Sequence, residues 1–225
     1  QYRLRPRPQI LSVDELVNHC DLIIEAASKN AVYEITKKAL SLGKDVIVMS
    51  VGGILGKEKE IFDLARTHRC CLYLPSGGVV GIDGLKAAKI GKIYRVTLTT
   101  RKPPHGFEDA PYVLKHKINL KRLKEEKVLF EGNAAAAVKG FPKNINVSAT
   151  LSLAGLGAKR TKVKIIACPH MLVNVHEVYV QGDSGSFYTR CENFPSEQNP
   201  KTSRLAILSA VATLERILKN VKIGT

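Results

Sequence analysis

The chain has 225 residues, 44% hydrophobic and 24% charged, enough for one large domain or two small ones around a sizeable core. No apolar run approaches the roughly 18 residues of a membrane-spanning helix, and no signal-peptide pattern opens the chain, so no membrane partner is expected. The net charge of +15 admits a nucleic-acid partner, but the basic residues are scattered and aromatics make up only 6%, so the expectation is a solvated basic surface and no nucleic acid.

The five cysteines are Cys20, Cys70, Cys71, Cys168 and Cys191. The number is odd, no CxxC pair occurs, and adjacent Cys70 and Cys71 cannot easily bond each other. Neither a disulfide framework nor a metal site is expected, and a reducing, cytoplasmic setting fits.

The first third of the chain alternates strand and helix. Ser12 and Asp14 are helix-start residues before Glu15 to Cys20. Asp21 to Ala26 (DLIIEA) reads as a buried parallel strand. Ala31 to Leu42 has a helical face of Val32, Ile35, Ala39 and Leu42, stopped by Gly43. Asp45 to Met49 (DVIVM) is a second strand, Lys57 to Thr67 a helix, and Cys71 to Leu74 a third strand. This spacing predicts a parallel sheet with right-handed crossovers.

The pattern changes near Pro75 to Asp83. Ile82 to Ile90 reads as a short helix, and Tyr94 to Arg101 alternates like a strand with one wet face. Val128 to Phe130 is short and apolar; Asn133 to Lys139 and Asn146 to Ala154 read as helices. Lys162 to Ala167, Asn174 to Gln181 and Ser186 to Cys191 are expected to be antiparallel strands. A long amphipathic helix, Thr202 to Asn220, closes the chain with Leu205, Leu208, Val211, Leu214, Ile217 and Leu218 on its apolar stripe.

In parallel α/β sheets, ligands bind beyond the carboxyl ends of the strands. Here those ends are EAAS (Glu25 to Ser28), MSVGG (Met49 to Gly53) and LPSGGVVG (Leu74 to Gly81). Small residues let a flat ring approach the backbone closely, and they also simply make turns. Neither GxGxxG nor GxxxxGK[ST] occurs. Either the domain binds no dinucleotide, or its glycine-rich turn lies upstream of Gln1.

Three kinds of side chain carry possible chemistry. His176, in an alternating strand beside Glu177, suits proton transfer near neutral pH, though strand histidines also serve structure. Asn146, at a helix start, can cap that helix or offer a donor and an acceptor to a carboxamide. Arg101, Lys102 and Lys201 are candidates for binding carboxylates. The other five histidines (His19, His68, His105, His116 and His170) are expected at the surface.

Taken in order, SGGVVGIDGL (from Ser76), TLTTRKPP (from Thr97), LFEGNAAAAVKGFPKNINVSATLSLAG (from Leu129), NVHEV (from Asn174) and ENFPSEQNPKTSRLAILSA (from Glu192) resemble the L-aspartate dehydrogenase family in its archaeal and bacterial form. The resemblance implies an α/β chain: a Rossmann-type parallel sheet, N-terminally incomplete over residues 1–80, then an α+β catalytic and dimerisation domain with a mostly antiparallel sheet over 81–203. A C-terminal helix, 204–225, would pack back on the Rossmann part. It further implies oxidation of L-aspartate with NAD or NADP to iminoaspartate, or to oxaloacetate and ammonia, in the first step of NAD biosynthesis, by a homodimer. The family's catalytic histidine falls on His176 and its cofactor positions on Gly78 and Asn146, where the family often has alanine in place of Gly78. With the ring over the strand ends, Ala27 and Ser50 join the expected cofactor contacts. A homoserine- or semialdehyde-type dehydrogenase, and a non-catalytic NAD- or nucleic-acid-binding protein, remain as alternatives.

Overall fold

The structure is a computed structural model, and it describes residues 7–142, 146–198 and 202–224. Lys201 lies outside the described residues.

The first unit is a parallel sheet of three strands, β1 (Leu22–Glu25), β2 (Asp45–Val48) and β3 (Leu72–Tyr73), in the order β1-β2-β3. Helix α1 (Val13–His19) starts at a capping box: Ser12 Oγ accepts from the Glu15 N–H, and the Glu15 carboxylate accepts from the Ser12 N–H. Helices α2 (Val32–Ser41) and α3 (Glu58–Thr67) are the two crossovers. Their apolar faces bury Val32, Ala39, Leu40 and Ile61 against Ile23, Val46 and Val48, forming one core.

The second unit is a five-stranded sheet of β4 (Ile93–Lys102), β5 (Lys127–Asn133), β6 (Lys162–Ala167), β7 (Asn174–Gly182) and β8 (Gly185–Asn193), in the order β5-β6-β4-β7-β8. Strand β6, expected antiparallel, pairs antiparallel with β5 but parallel with β4. Alternation reports which face is wet; it carries no information about direction. Helices α6 (Ala134–Gly140) and α7 (Asn146–Ala154) carry the chain from β5 to β6, which enters between β5 and β4. Helix α4 (Ile82–Ala88) leads into β4, and α5 (Pro111–Lys115), with proline at its start, is too short to show a period in sequence.

One face of this sheet is apolar: Val96 and Leu98, Val163 and Ile165, and Val178 and Val180 join the second core with Leu85, Ala134 and Leu151. The other face is polar, with Arg101 bonded to both Glu177 and Glu126. Helix α7 joins the two units, because Ala149 belongs to the first core and Leu151 to the second.

Helix α8 (Arg204–Leu218) starts at Ser203, whose side chain accepts from the Ala206 N–H. Its expected apolar stripe is not buried among the described residues; Leu208, Val211 and Leu218 are exposed. The helix instead meets the SGG turn through Ser209, whose Oγ accepts from the Gly77 N–H at 3.1 Å. Among the described residues no helix is long and apolar enough to cross a membrane.

Candidate active site

Glu25 organises the first two strand ends. It sits at the last position of β1 and is only 2% exposed. Its carboxyl group accepts from the Ala27 N–H at 2.9 Å and from the Ser50 N–H at 3.0 Å. A buried carboxyl group is costly unless hydrogen-bonded, and here both bonds go to backbone that would otherwise be free in a loop. Ala27 and Ser50, both expected near a cofactor, are thereby held together. Gly53 closes the same loop region: its backbone presses against the Lys29 carbonyl, and an added Cβ would collide there.

Asn146 comes to the same edge from the second unit. Its Oδ1 accepts from the Gly52 N–H at 3.1 Å, so its side chain links α7 to the β2 loop. This differs from the capping role, because the acceptor is spent on another segment. The Asn146 side chain is exposed, and its amide N–H₂ has no partner among the described residues.

The third strand end meets His176. A Cβ placed on Gly78 would lie 3.6 Å from His176 Cδ2, 3.4 Å from Asn193 Oδ1 and 3.1 Å from Ser203 Oγ. Glycine therefore lets the turn backbone lie close against a histidine ring and two side-chain oxygens, with less than a methyl's clearance at the Ser203 hydroxyl. Asn193, 1% exposed, donates from Nδ2 to the Gly78 carbonyl at 2.9 Å, while its Oδ1 is buried with no partner among the described residues. Such an orphaned acceptor costs about 1–3 kcal/mol unless a ligand supplies the donor.

His176 is 6% exposed, on the apolar face of β7. It stands opposite Thr100 on β4, with Thr100 Oγ1 3.0 Å from its Nδ1. Burial, followed by the charge of Lys102, lowers the imidazole from its usual value near 6.5 to about 3. The ring is therefore neutral at physiological pH. Lys102 lies two residues beyond Thr100 on the same side of β4, and burial lowers its ammonium to about 8. Arg101, between them, points to the opposite face and is held by Glu177 and Glu126, away from His176. The other five histidines are all exposed. Among the described residues no cluster of three or more His, Cys, Asp or Glu side chains could hold a metal ion.

Sequence reasoning passed over Glu25, Thr100 and Asn193. The signal for Glu25 was present: a carboxylate inside an apolar strand run, which is stable only with buried partners. Thr100 and Asn193 carry no comparable signal.

Comparison with known proteins bears on the family and the fold. Residues 83–217 match the family model described as "Aspartate dehydrogenase, C-terminal", and residues 1–75 match "Homoserine dehydrogenase, NAD binding domain". The chain is 54% identical to the L-aspartate dehydrogenase of Methanosarcina acetivorans over 221 residues, 97% of this chain and 82% of that protein. It is 41% identical to the L-aspartate dehydrogenase of Bradyrhizobium diazoefficiens over 222 residues, 99% of this chain and 79% of that protein. The crystal structure of aspartate dehydrogenase from Thermotoga maritima superposes with a TM-score of 0.77 at 27% identity, over 99% of this chain and 83% of that one. A hyperthermophilic archaeal homoserine dehydrogenase solved with NADPH, 12% identical, shares the fold with a TM-score of 0.57 over 97% of this chain and 78% of that one.

Proposed function

Because the chain belongs to the L-aspartate dehydrogenase family, we propose that it oxidises L-aspartate with NAD or NADP to iminoaspartate, which hydrolyses to oxaloacetate and ammonia. The observation that carries this reading is the meeting of Gly78, His176 and Asn193: a close-packed glycine turn beside a neutral histidine, with an orphaned buried oxygen between them.

The residues present fit a dinucleotide. Gly78 adds no side chain at the third strand end, Asn193 Oδ1 awaits an N–H donor, and Asn146 offers its amide N–H₂ from the second unit. Ala27 and Ser50, fixed by Glu25, present backbone at the other two strand ends. Bound NAD or NADP supplies the acceptor for the Cα hydride of L-aspartate.

The protein's own groups do the rest. His176, neutral and buried, takes a proton from the substrate ammonium at Nε2, freeing the amine lone pair that forms the imine. Two substrate carboxylates entering beside the ring favour its protonated form and offset the Lys102 charge. Lys102 holds one of those carboxylates. The same reading assigns residues 1–80 to cofactor binding, 81–203 to catalysis and dimer contacts, and 204–225 to a returning helix. It also makes the enzyme a cytoplasmic homodimer whose product feeds NAD biosynthesis.

The test is a substrate panel read by the absorbance of reduced nicotinamide. L-aspartate should be oxidised in preference to L-homoserine and aspartate semialdehyde. His176→Ala should lose about 10²–10⁴ in turnover while binding dinucleotide normally. Oxidation of homoserine without oxidation of aspartate, or full activity in His176→Ala, refutes the reading.

A further inference from the structure

Thr100 and His176 face each other across the β4–β7 pair. Both are buried, at 4% and 6% exposure, and the Oγ1 to Nδ1 distance is 3.0 Å. Among the described residues neither side chain has another hydrogen-bond partner. On its other side the ring presents Cδ2 to the Gly78 backbone. Nδ1 is thus committed to β4, and Nε2 is the nitrogen left for a ligand.

Which nitrogen carries the proton then decides what His176 can do. A neutral imidazole with no partner prefers its proton on Nε2, which would turn a donor toward the substrate. An amine that must lose a proton needs the opposite, a lone pair at Nε2. A hydroxyl can accept as well as donate, so Thr100 can take the Nδ1 proton into a hydrogen bond.

We propose that Thr100 is a positioning residue: its hydroxyl accepts from His176 Nδ1–H and so keeps Nε2 as a lone-pair base facing the substrate amine. This rests on the reading of His176 as the acid/base group. The protons balance without Thr100 changing state. The substrate ammonium gives one proton to Nε2 and becomes an amine. The imidazolium then holds a proton on each nitrogen, and the Nδ1–H bond to Thr100 strengthens because its donor is now charged. The Nε2 proton leaves to solvent with product. The groups facing the ring are Thr100 and Lys102 from β4, Cys191 directly across from it on β8, and Asn193 with the Gly78 turn. Of these, Lys102 opposes the imidazolium and Thr100 favours it.

The experiment compares Thr100→Val, which keeps the shape and loses the acceptor, with Thr100→Ser, which keeps the hydroxyl. Thr100→Val should lower kcat by about 10–100-fold and move the acidic limb of the kcat–pH profile to lower pH. Thr100→Ser should stay near the wild-type rate and profile. Dinucleotide affinity, read by fluorescence, should be the same in all three. A Thr100→Val enzyme with the wild-type rate and limb overturns the proposal. So do equal losses in the valine and serine variants, which would mark a packing role. NMR of histidine-labelled wild-type enzyme gives a readout that needs no variant to fold: at neutral pH His176 should carry its proton on Nδ1, and a proton on Nε2 overturns the proposal. Activity retained in His176→Ala would sink the acid/base reading itself; an inactive His176→Ala beside an unaffected Thr100→Val sinks only this one.

Discussion

Glu25 at the end of β1 holds the backbone of Ser50 at the end of β2, with the Ser50 N–H donating to its carboxyl oxygen at 3.0 Å. The second oxygen of the same group takes the Ala27 N–H at 2.9 Å. One buried side chain therefore sets the relative position of the two loops beyond β1 and β2. Strand pairing alone ends at Glu25 and Val48, so beyond that point the Glu25 side chain takes over the ordering.

Replacing Glu25 tests that role. Glu25→Gln keeps one acceptor and puts an N–H₂ where a backbone donor now points, so one bond is lost and two donors face each other. The expected cost is about 1–3 kcal/mol of unfolding free energy. Dinucleotide affinity should fall about tenfold, since 1.4 kcal/mol of lost loop order is a factor of ten. Urea unfolding and a fluorescence titration measure the two effects; unchanged affinity would show that the loops order themselves.

Gly78 is tested by side-chain size. Its backbone is in the ordinary φ range, so only space limits substitution. Alanine brings its methyl to 3.1 Å from Ser203 Oγ, a hydroxyl that can give by a few tenths of an ångström. Gly78→Ala should therefore fold and turn over. Gly78→Val adds two methyls toward Asn193 and His176 and should weaken dinucleotide binding by tenfold or more, on the order of the 1–3 kcal/mol that overpacking costs. Valine binding as well as glycine would place the ring elsewhere.

The parallel unit was legible in the sequence for a plain reason. DLIIEA and DVIVM are apolar runs that end in small residues, and α2 and α3 have one apolar face each, so period and punctuation both point the same way. The Asn146–Ala154 helix was legible too, to the residue. The direction of β6 was not, because it depends on where α6 and α7 deliver the chain. Nor were Thr100, Asn193 and the task of Glu25. Their partners lie 76, 115 and 25 residues away, and no local pattern encodes such a distance. His176 and Asn146 stood out only through family resemblance; on residue chemistry alone each had an ordinary structural role.

His176 predicts a pH dependence of stability. Its folded value, about 3, lies below the unfolded value near 6.5. Between those limits the unfolded chain binds the extra proton, so unfolding becomes easier as pH falls from about 6.5 toward 3, and this group adds no further slope below that. The loss should reach a few kcal/mol in order of magnitude. Urea unfolding from pH 7 to pH 4 should show a shallower decline in His176→Phe than in wild type. Parallel declines would mean that the imidazole is more open to solvent than 6% exposure indicates.

Asn146 separates a structural tie from a cofactor contact. Its Oδ1 takes the Gly52 N–H at 3.1 Å, which joins the two units whatever else the residue does. Its N–H₂ has no partner among the described residues and, on the proposed reading, would donate to a carboxamide or ribose oxygen. Asn146→Asp keeps the acceptor and removes the donor; Asn146→Ala removes both. If the N–H₂ binds dinucleotide, both variants should lose affinity, by about 1–3 kcal/mol or roughly tenfold to a hundredfold, while only alanine loses the Gly52 bond. Unfolding stability should then fall in Asn146→Ala by about 1 kcal/mol and stay closer to wild type in Asn146→Asp. An aspartate variant that binds NADH as tightly as wild type would leave Asn146 with the Gly52 tie alone, and the carboxamide end of the site would have to be rebuilt around the orphaned oxygen of Asn193.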